Sequence, residues 1–252
     1  MPDVTFIPFS KIDLLMEDEI EKSGFWPSSQ NEIFDIERFL EKHLKSGLDK
    51  DANLPDDVMG EVAFRRGKKT CVSINAGLTR EMENAQAAWQ IGRWRMTVAH
   101  ECAHVILHGP LYLAQGAQDG FWGEPLSQIH RCYKKQDKRF VTDDFAAEMR
   151  DFEARYGWNS GCLINEPQAR QRMEFQANRG GAALLMPANR TLCAASELFN
   201  DLRQNAPQLS QEARIERVVE QLAKKFLVSR EAARIRCDDL EATKHADQLS
   251  LF

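Results

Sequence analysis

Apolar positions along the chain follow two different periods. Between residues 11 and 46, Leu14, Leu15, Ile20, Ile33, Ile36, Phe39, Leu40 and Leu44 recur every three to four residues, which predicts helix. The pattern breaks at Gly24-Phe25-Trp26-Pro27-Ser28-Ser29. A polar stretch read as loop follows. Then Glu61–Phe64 and Thr70–Ile74 read as two short strands joined through Gly67-Lys68-Lys69. Helical period returns from Trp89 to His108 and stops at Gly109-Pro110. Residues 111–128 read as loop, and a helix is predicted from Thr142 to Tyr156, ended by Gly157. Another starts at Asn165-Glu166-Pro167, a cap followed by proline in the first turn, and runs to Pro187. Beyond Pro207 the chain is helical again, with a break near Val228-Ser229. Much helix with a small sheet makes the fold class α+β.

Composition narrows the picture only slightly. With 43% apolar and 28% charged residues in 252, the chain can bury a sizeable core and is not disordered as a whole. Its 33 basic against 38 acidic residues, a net charge of −5, argue against a protein that coats nucleic acid. No apolar run approaches the roughly 18 residues of a membrane span, and no basic-then-apolar leader opens the chain. A cytoplasmic protein with no membrane partner is expected. The six cysteines (71, 102, 132, 162, 193, 237) form no Cys-x-x-Cys pair and read as reduced thiols.

The chemistry lies in Thr97-Val98-Ala99-His100-Glu101-Cys102-Ala103-His104-Val105-Ile106-Leu107-His108-Gly109, which holds His-Glu-x-x-His inside an apolar helical run. Four residues apart, His100 and His104 stack on one helix face about 6 Å apart, so both imidazoles can reach one ion. Glu101 sits about 100° around the helix, placed to touch water on the metal rather than the metal. Zinc takes such ligands in tetrahedral array with one position open and lowers the pKa of its water to about 7. Glu101 can then take the proton and pass it to a leaving amine. The bland alternative is two surface histidines beside a glutamate.

A third ligand is required. His108 is about 12 Å of helix away from His100, too far for both to bind one ion, and is expected to cap the helix or line the floor of the site. Glu174, in Glu174-Phe175-Gln176-Ala177-Asn178, is the candidate, and spacing alone leaves it equally open to being a solvated helix glutamate. Glu174 and Asn178 share a helix face, so one can ligate while the other hydrogen-bonds a ligand imidazole.

The His100 block, with Glu174-Phe175-Gln176-Ala177-Asn178 and Ala183-Leu184-Leu185-Met186-Pro187 downstream, resembles the ImmA/IrrE family of zinc metallopeptidases. That resemblance covers roughly residues 58–110 and 167–190. It implies zinc held by His100, His104 and Glu174, with Glu101 as general base. It also implies a zincin-like α+β fold over residues 1–200: a small antiparallel or mixed sheet, a strand at Thr70–Asn75 before the active-site helix, and a helical C-terminal region. The implied substrate is a helix-turn-helix transcriptional repressor, encoded nearby, whose cleavage derepresses stress, phage-defence or mobile-element genes.

The chain departs from the family pattern in places. Sixty-nine residues separate His104 from Glu174, so residues 113–166 read as an insertion overhanging the cleft. Gly180-Gly181 replace a larger pair and are expected to loosen their helix. Cys102 points away from the metal face and reads as core. Within the insertion, His130-Arg131-Cys132-Tyr133-Lys134-Lys135 and Lys138-Arg139 form a basic island. It is either a solvated loop or an effector contact through Arg131, Lys134 and Lys135, with nucleic acid a candidate because Tyr133 and Trp122 can stack bases. Cys132 or Cys162 is a candidate fourth zinc ligand that would hold the enzyme latent. His130, Tyr112 and Tyr133 are candidates for oxyanion stabilisation.

Residues 201–252 are helical, and Val218–Arg236 resembles a helix-turn-helix, with Ala223 at the close packing point and Ser229 capping the second helix. Leu227 stands where glycine is usual, and Glu231, Asp238, Asp239 and Glu241 oppose phosphate; the pair reads as a DNA reader or, preferably, as packing for the peptidase. The strand after the Phe64–Lys69 hairpin is expected to offer an edge to an extended peptide. The resulting expectation is an intracellular zinc endopeptidase. The alternatives are a DNA-binding regulator with structural zinc and a hydrolase of a small amide.

Overall fold

The computed structural model of the chain describes residues 7–26, 33–64, 69–110, 128–133 and 166–242. Helix α1 (Phe9–Ser23) ends on Gly24, whose φ of 68° supplies the left-handed C-cap. A short helix α2 (Ile36–Arg38) runs into a π-helical turn at Phe39–His43. Strands β1 (Gly47–Ala52), β2 (Val58–Phe64) and β3 (Cys71–Asn75) follow, then α3 (Ala76–Glu83) and the long α4 (Ala88–Leu107). After β4 (Gln128–Tyr133) come α5 (Glu166–Leu185), α6 (Ala188–Asn205), α7 (Gln211–Phe226) and α8 (Arg230–Asp239). The α+β class holds.

The sheet order is β1-β3-β2-β4, with β1 parallel to β3 and the other pairs antiparallel. Three sequence expectations change here. The polar stretch after residue 46 contains β1, whose Asp49-Lys50-Asp51 hid the alternation because an edge strand needs few apolar residues. The basic stretch at 130–133 belongs to β4 rather than to a loop. Strand β3 is internal, so the exposed edge expected after the hairpin is not there; among the described residues β1 and β4 are the outer strands of this sheet. Helix α3 also intervenes between β3 and α4, and α6 fills the stretch after Pro187.

Asn75 turns the chain out of the sheet. Its amide nitrogen donates to the carbonyls of Leu54, Pro55 and Val58, while its Oδ1 accepts from Gly77 N–H and caps α3. Val62, Val72 and Ile74 pack with Val98, Ala99 and Cys102 of α4 in one core, so Cys102 is core as expected. The same core includes Val218, Leu222, Ala233 and Cys237 of the last two helices.

Those two helices keep the features read from sequence. Ser229 Oγ accepts from Ala232 N–H, and Leu227 adopts φ 51°, the left-handed turn that glycine usually supplies. The turn lies against α4: a Cβ on Gly92 would come within 2.7 Å of Val228 C and 2.8 Å of Ser229 N. Arg236 is fully buried and reaches Asp13 of α1 and the Met186 carbonyl. Arg230 and Arg234 both pair with Glu216 on the exposed surface, so the positive charge on α8 is partly offset by α7. No described helix is long and apolar enough to cross a membrane. The expected helix at 142–156 and most of the 113–166 insertion, Cys162 and Trp122 included, lie outside the described residues.

Candidate metal centre

Two helices build the centre, and their close approach is what makes it. A Cβ on Gly181 of α5 would lie 2.9 Å from His100 N and 3.1 Å from His100 Cα; one on Gly180 would lie 2.8 Å from Ala103 Cβ. Only glycine lets the α5 backbone come that near α4. The expectation that Gly180-Gly181 loosen the helix is therefore overturned, because they let α5 seat fully. Gly60 plays a similar part from the sheet, where a Cβ would meet Thr97 Cγ2 at 2.9 Å and Glu101 Oε1 at 3.1 Å.

His100 and His104 are buried, and their Nε2 atoms face each other 3.1 Å apart. Glu174 presents Oε2 3.3 Å from His100 Nε2 and Oε1 3.6 Å from His104 Nε2. Hydrogen bonds on the far side of each ring set the tautomers. Asn178 Oδ1 lies 2.9 Å from His100 Nδ1, so that nitrogen donates and Nε2 keeps its lone pair. Gln176 Oε1 lies 3.0 Å from His108 Nε2, which must donate; His108 Nδ1 then accepts from His104 Nδ1 at 2.9 Å. His104 Nε2 is thereby also left with a lone pair. Two lone pairs and a carboxylate now point at one another, an arrangement that calls for positive charge between them.

The donor set fits a metal ion. Two donors about 2.05 Å from a tetrahedral ion are about 3.3 Å apart, close to the separations seen here. His100, His104 and Glu174 thus form a buried group able to hold a metal ion. The carboxylate and the histidines shift one another. Burial works to raise Glu174, but the two adjacent imidazoles, when protonated, prevail and hold it well below the ordinary carboxylate range. Burial works to lower His100 too, but Glu174 and Glu101 prevail and raise it; burial dominates at His104, which is lowered.

Glu101 is fully buried, and among the described residues neither carboxylate oxygen has a hydrogen-bond partner. Burial pushes its pKa up to about 8, with Glu174 and Glu61 adding to the rise and His100 opposing it. Beside it lies Cys132 of β4, buried, with its thiol pushed up first by burial and then by Glu101 and Glu174.

The sequence-derived residues therefore come together unevenly. His100, Glu101, His104, Glu174 and Asn178 converge, and of the last two Glu174 faces the shared point while Asn178 orients a ring. His108 is both the C-cap residue of α4 and the partner of His104. Gln176 was missed, because the reading followed the i, i+4 face of α5 and passed over the residue two positions from Glu174. Among the remaining candidates, His130, Arg131 and Tyr133 lie in β4 opposite Val62, Glu61 and Val58. Tyr112, Lys134 and Lys135 lie outside the described residues. No family model matches the chain, and no curated protein matches it.

Proposed function

We propose that this chain is a zinc-dependent endopeptidase of the ImmA/IrrE kind, with a zincin-like peptidase fold, acting on a helix-turn-helix repressor and so on transcription. The observation that carries the reading is the meeting of two imidazole lone pairs and the Glu174 carboxylate beside a buried Glu101 that has no hydrogen-bond partner among the described residues. His100, His104 and Glu174 would hold the ion, and the all-nitrogen and oxygen donor set suits zinc with one position left open. A zinc ion there would supply Lewis acidity toward a peptide carbonyl and toward water near neutral pH.

The chain's own residues supply the rest. Asn178 and the His108–Gln176 pair hold the two rings with Nε2 inward. Glu101 accepts the proton of the attacking water at a carboxylate oxygen and returns it to the departing amine nitrogen. Burial raises the affinity of that carboxylate for the proton it carries to the amine. Gly60 leaves the room in which that carboxylate sits.

A DNA-reading role for the last two helices draws less support, since Arg230 and Arg234 pair with Glu216 and Arg236 is buried. The test is incubation of the zinc-loaded protein with the helix-turn-helix repressor encoded beside it, wild type against Glu101→Gln. Cleavage by the wild type alone is expected. Cleavage that persists in Glu101→Gln overturns the mechanism, and salt-sensitive DNA binding with no cleavage favours the regulator.

A further inference from the structure

Cys132 approaches the same centre from the sheet. In β4 it stands directly opposite Gly60 of β2, and directly opposed residues share one face of a sheet. That face is the one pressed on α4, because a Cβ at Gly60 would meet Thr97 and Glu101. Cys132 is accordingly turned toward Glu101 and is only 5% exposed. Its Sγ, a carboxylate oxygen of Glu101 and a ring nitrogen of His100 all lie within 4.8 Å of one another. His100 belongs equally to the triad with His104 and Glu174, so two sets of donors overlap on one histidine. The fully buried Glu101 carboxylate belongs to the set with Cys132, and among the described residues neither of its oxygens has a hydrogen-bond partner.

We propose that Cys132 is an internal inhibitor of the metal centre, its thiolate filling the fourth donor position of the ion held by His100, His104 and Glu174. The proposal rests on the zinc reading above and adds the regulation of that site. In the closing step the Sγ–H bond breaks, an Sγ–metal bond forms and the proton passes to the Glu101 carboxylate; no electrons are transferred. Thiolate is a stronger zinc ligand than water, so the closed form competes well in the absence of substrate. Both consequences silence the centre, since the open position is filled and the base holds a proton. Among the described residues β4 pairs with β2 alone, so withdrawing the thiolate asks only for movement of an outer strand. That outer strand belongs to the segment that separates the two halves of the metal site in sequence. A partner engaging it could therefore open the site.

Cobalt(II) reports on the donors without any need for substrate. The full chain would be loaded with cobalt as wild type, Cys132→Ser, Cys132→Ala and Cys193→Ser, the last altering an exposed thiol. Circular dichroism would establish that each variant folds. The expected result is an intense near-ultraviolet thiolate-to-cobalt band in wild type and Cys193→Ser. That band is absent from both Cys132 variants, which keep the visible bands of tetrahedral cobalt. Zinc affinity, measured by chelator competition, should fall on the order of tenfold or more in Cys132→Ser, as loss of a donor requires at least the effect of losing its support. Visible bands without a thiolate band in wild type would overturn the proposal and leave the metal site standing. A thiolate band that survives in both Cys132 variants would overturn it too. Absence of visible bands in every protein would overturn the metal reading and the inhibitor with it.

Discussion

Replacing Gly181 by alanine tests whether the closeness of α4 and α5 is what builds the centre. The new Cβ would stand 2.9 Å from His100 N, where ordinary contact begins at 3.4 Å, so α5 must retreat by about 0.5 Å. The obstacle is backbone, which cannot rotate aside as a side chain would. Overfilling of this kind costs about 1–3 kcal/mol, against about 1 kcal/mol gained from the better helix former, leaving a net loss of up to about 2 kcal/mol. Metal affinity should suffer more clearly than stability, because Glu174 and Asn178 ride on the displaced helix and their donors lie within 3.6 Å of the imidazoles. Urea unfolding gives the first quantity and chelator competition the second, with a drop of about tenfold or more expected in affinity. Gly180→Ala provides a matched case, since its Cβ collides with Ala103 Cβ, an atom that Ala103→Gly removes. The double variant should recover stability, with a coupling energy of about 1 kcal/mol or more. A Gly181→Ala protein that is more stable by about 1 kcal/mol and binds metal unchanged would refute the reasoning.

Three further outcomes follow from the same geometry. Gln176→Leu or His108→Ala frees the His104 tautomer and should lower metal affinity about 10- to 100-fold while leaving the fold intact. Glu101, raised from 4.5 to about 8 in the folded metal-free protein, contributes stability that is complete below pH about 4.5 and lost as pH rises through about 8. Urea midpoints of the metal-free wild type should therefore fall across that window, and Glu101→Gln should flatten the fall. Asp13→Ala leaves the Arg179 and Arg236 guanidinium groups without the carboxylate that joins them and should cost about 3–5 kcal/mol in the same unfolding assay.

That last network illustrates what was hidden from sequence. Asp13, Arg179 and Arg236 are separated by up to 223 residues, and each alone reads as a solvated charge on a helix. Brought together, they tie α1 and α8 to the helix carrying Glu174. Cys132 is a similar case: its neighbours in sequence are basic and polar, and only the β2–β4 register turns it toward Glu101. The missed strands share one cause. Both β1 and β4 are outer strands, where one covered face is enough and the alternation of apolar residues weakens.

What the sequence by itself determined is local: the helix carrying His100, Glu101 and His104, the shared face of Glu174 and Asn178, and the caps at Ser229 and Gly24. These depend on periods of three to four residues and on side chains bonding within a turn, so a short window contains the whole cause. Only the tertiary structure decided that Glu174 faces the two imidazoles while Asn178 orients a ring, that Gln176 and His108 fix His104, and that Gly60, Gly180 and Gly181 are empty so that other atoms can be near. Those assignments depend on distances between segments far apart in the chain, and a glycine's missing side chain has meaning only once its neighbour across the interface is known.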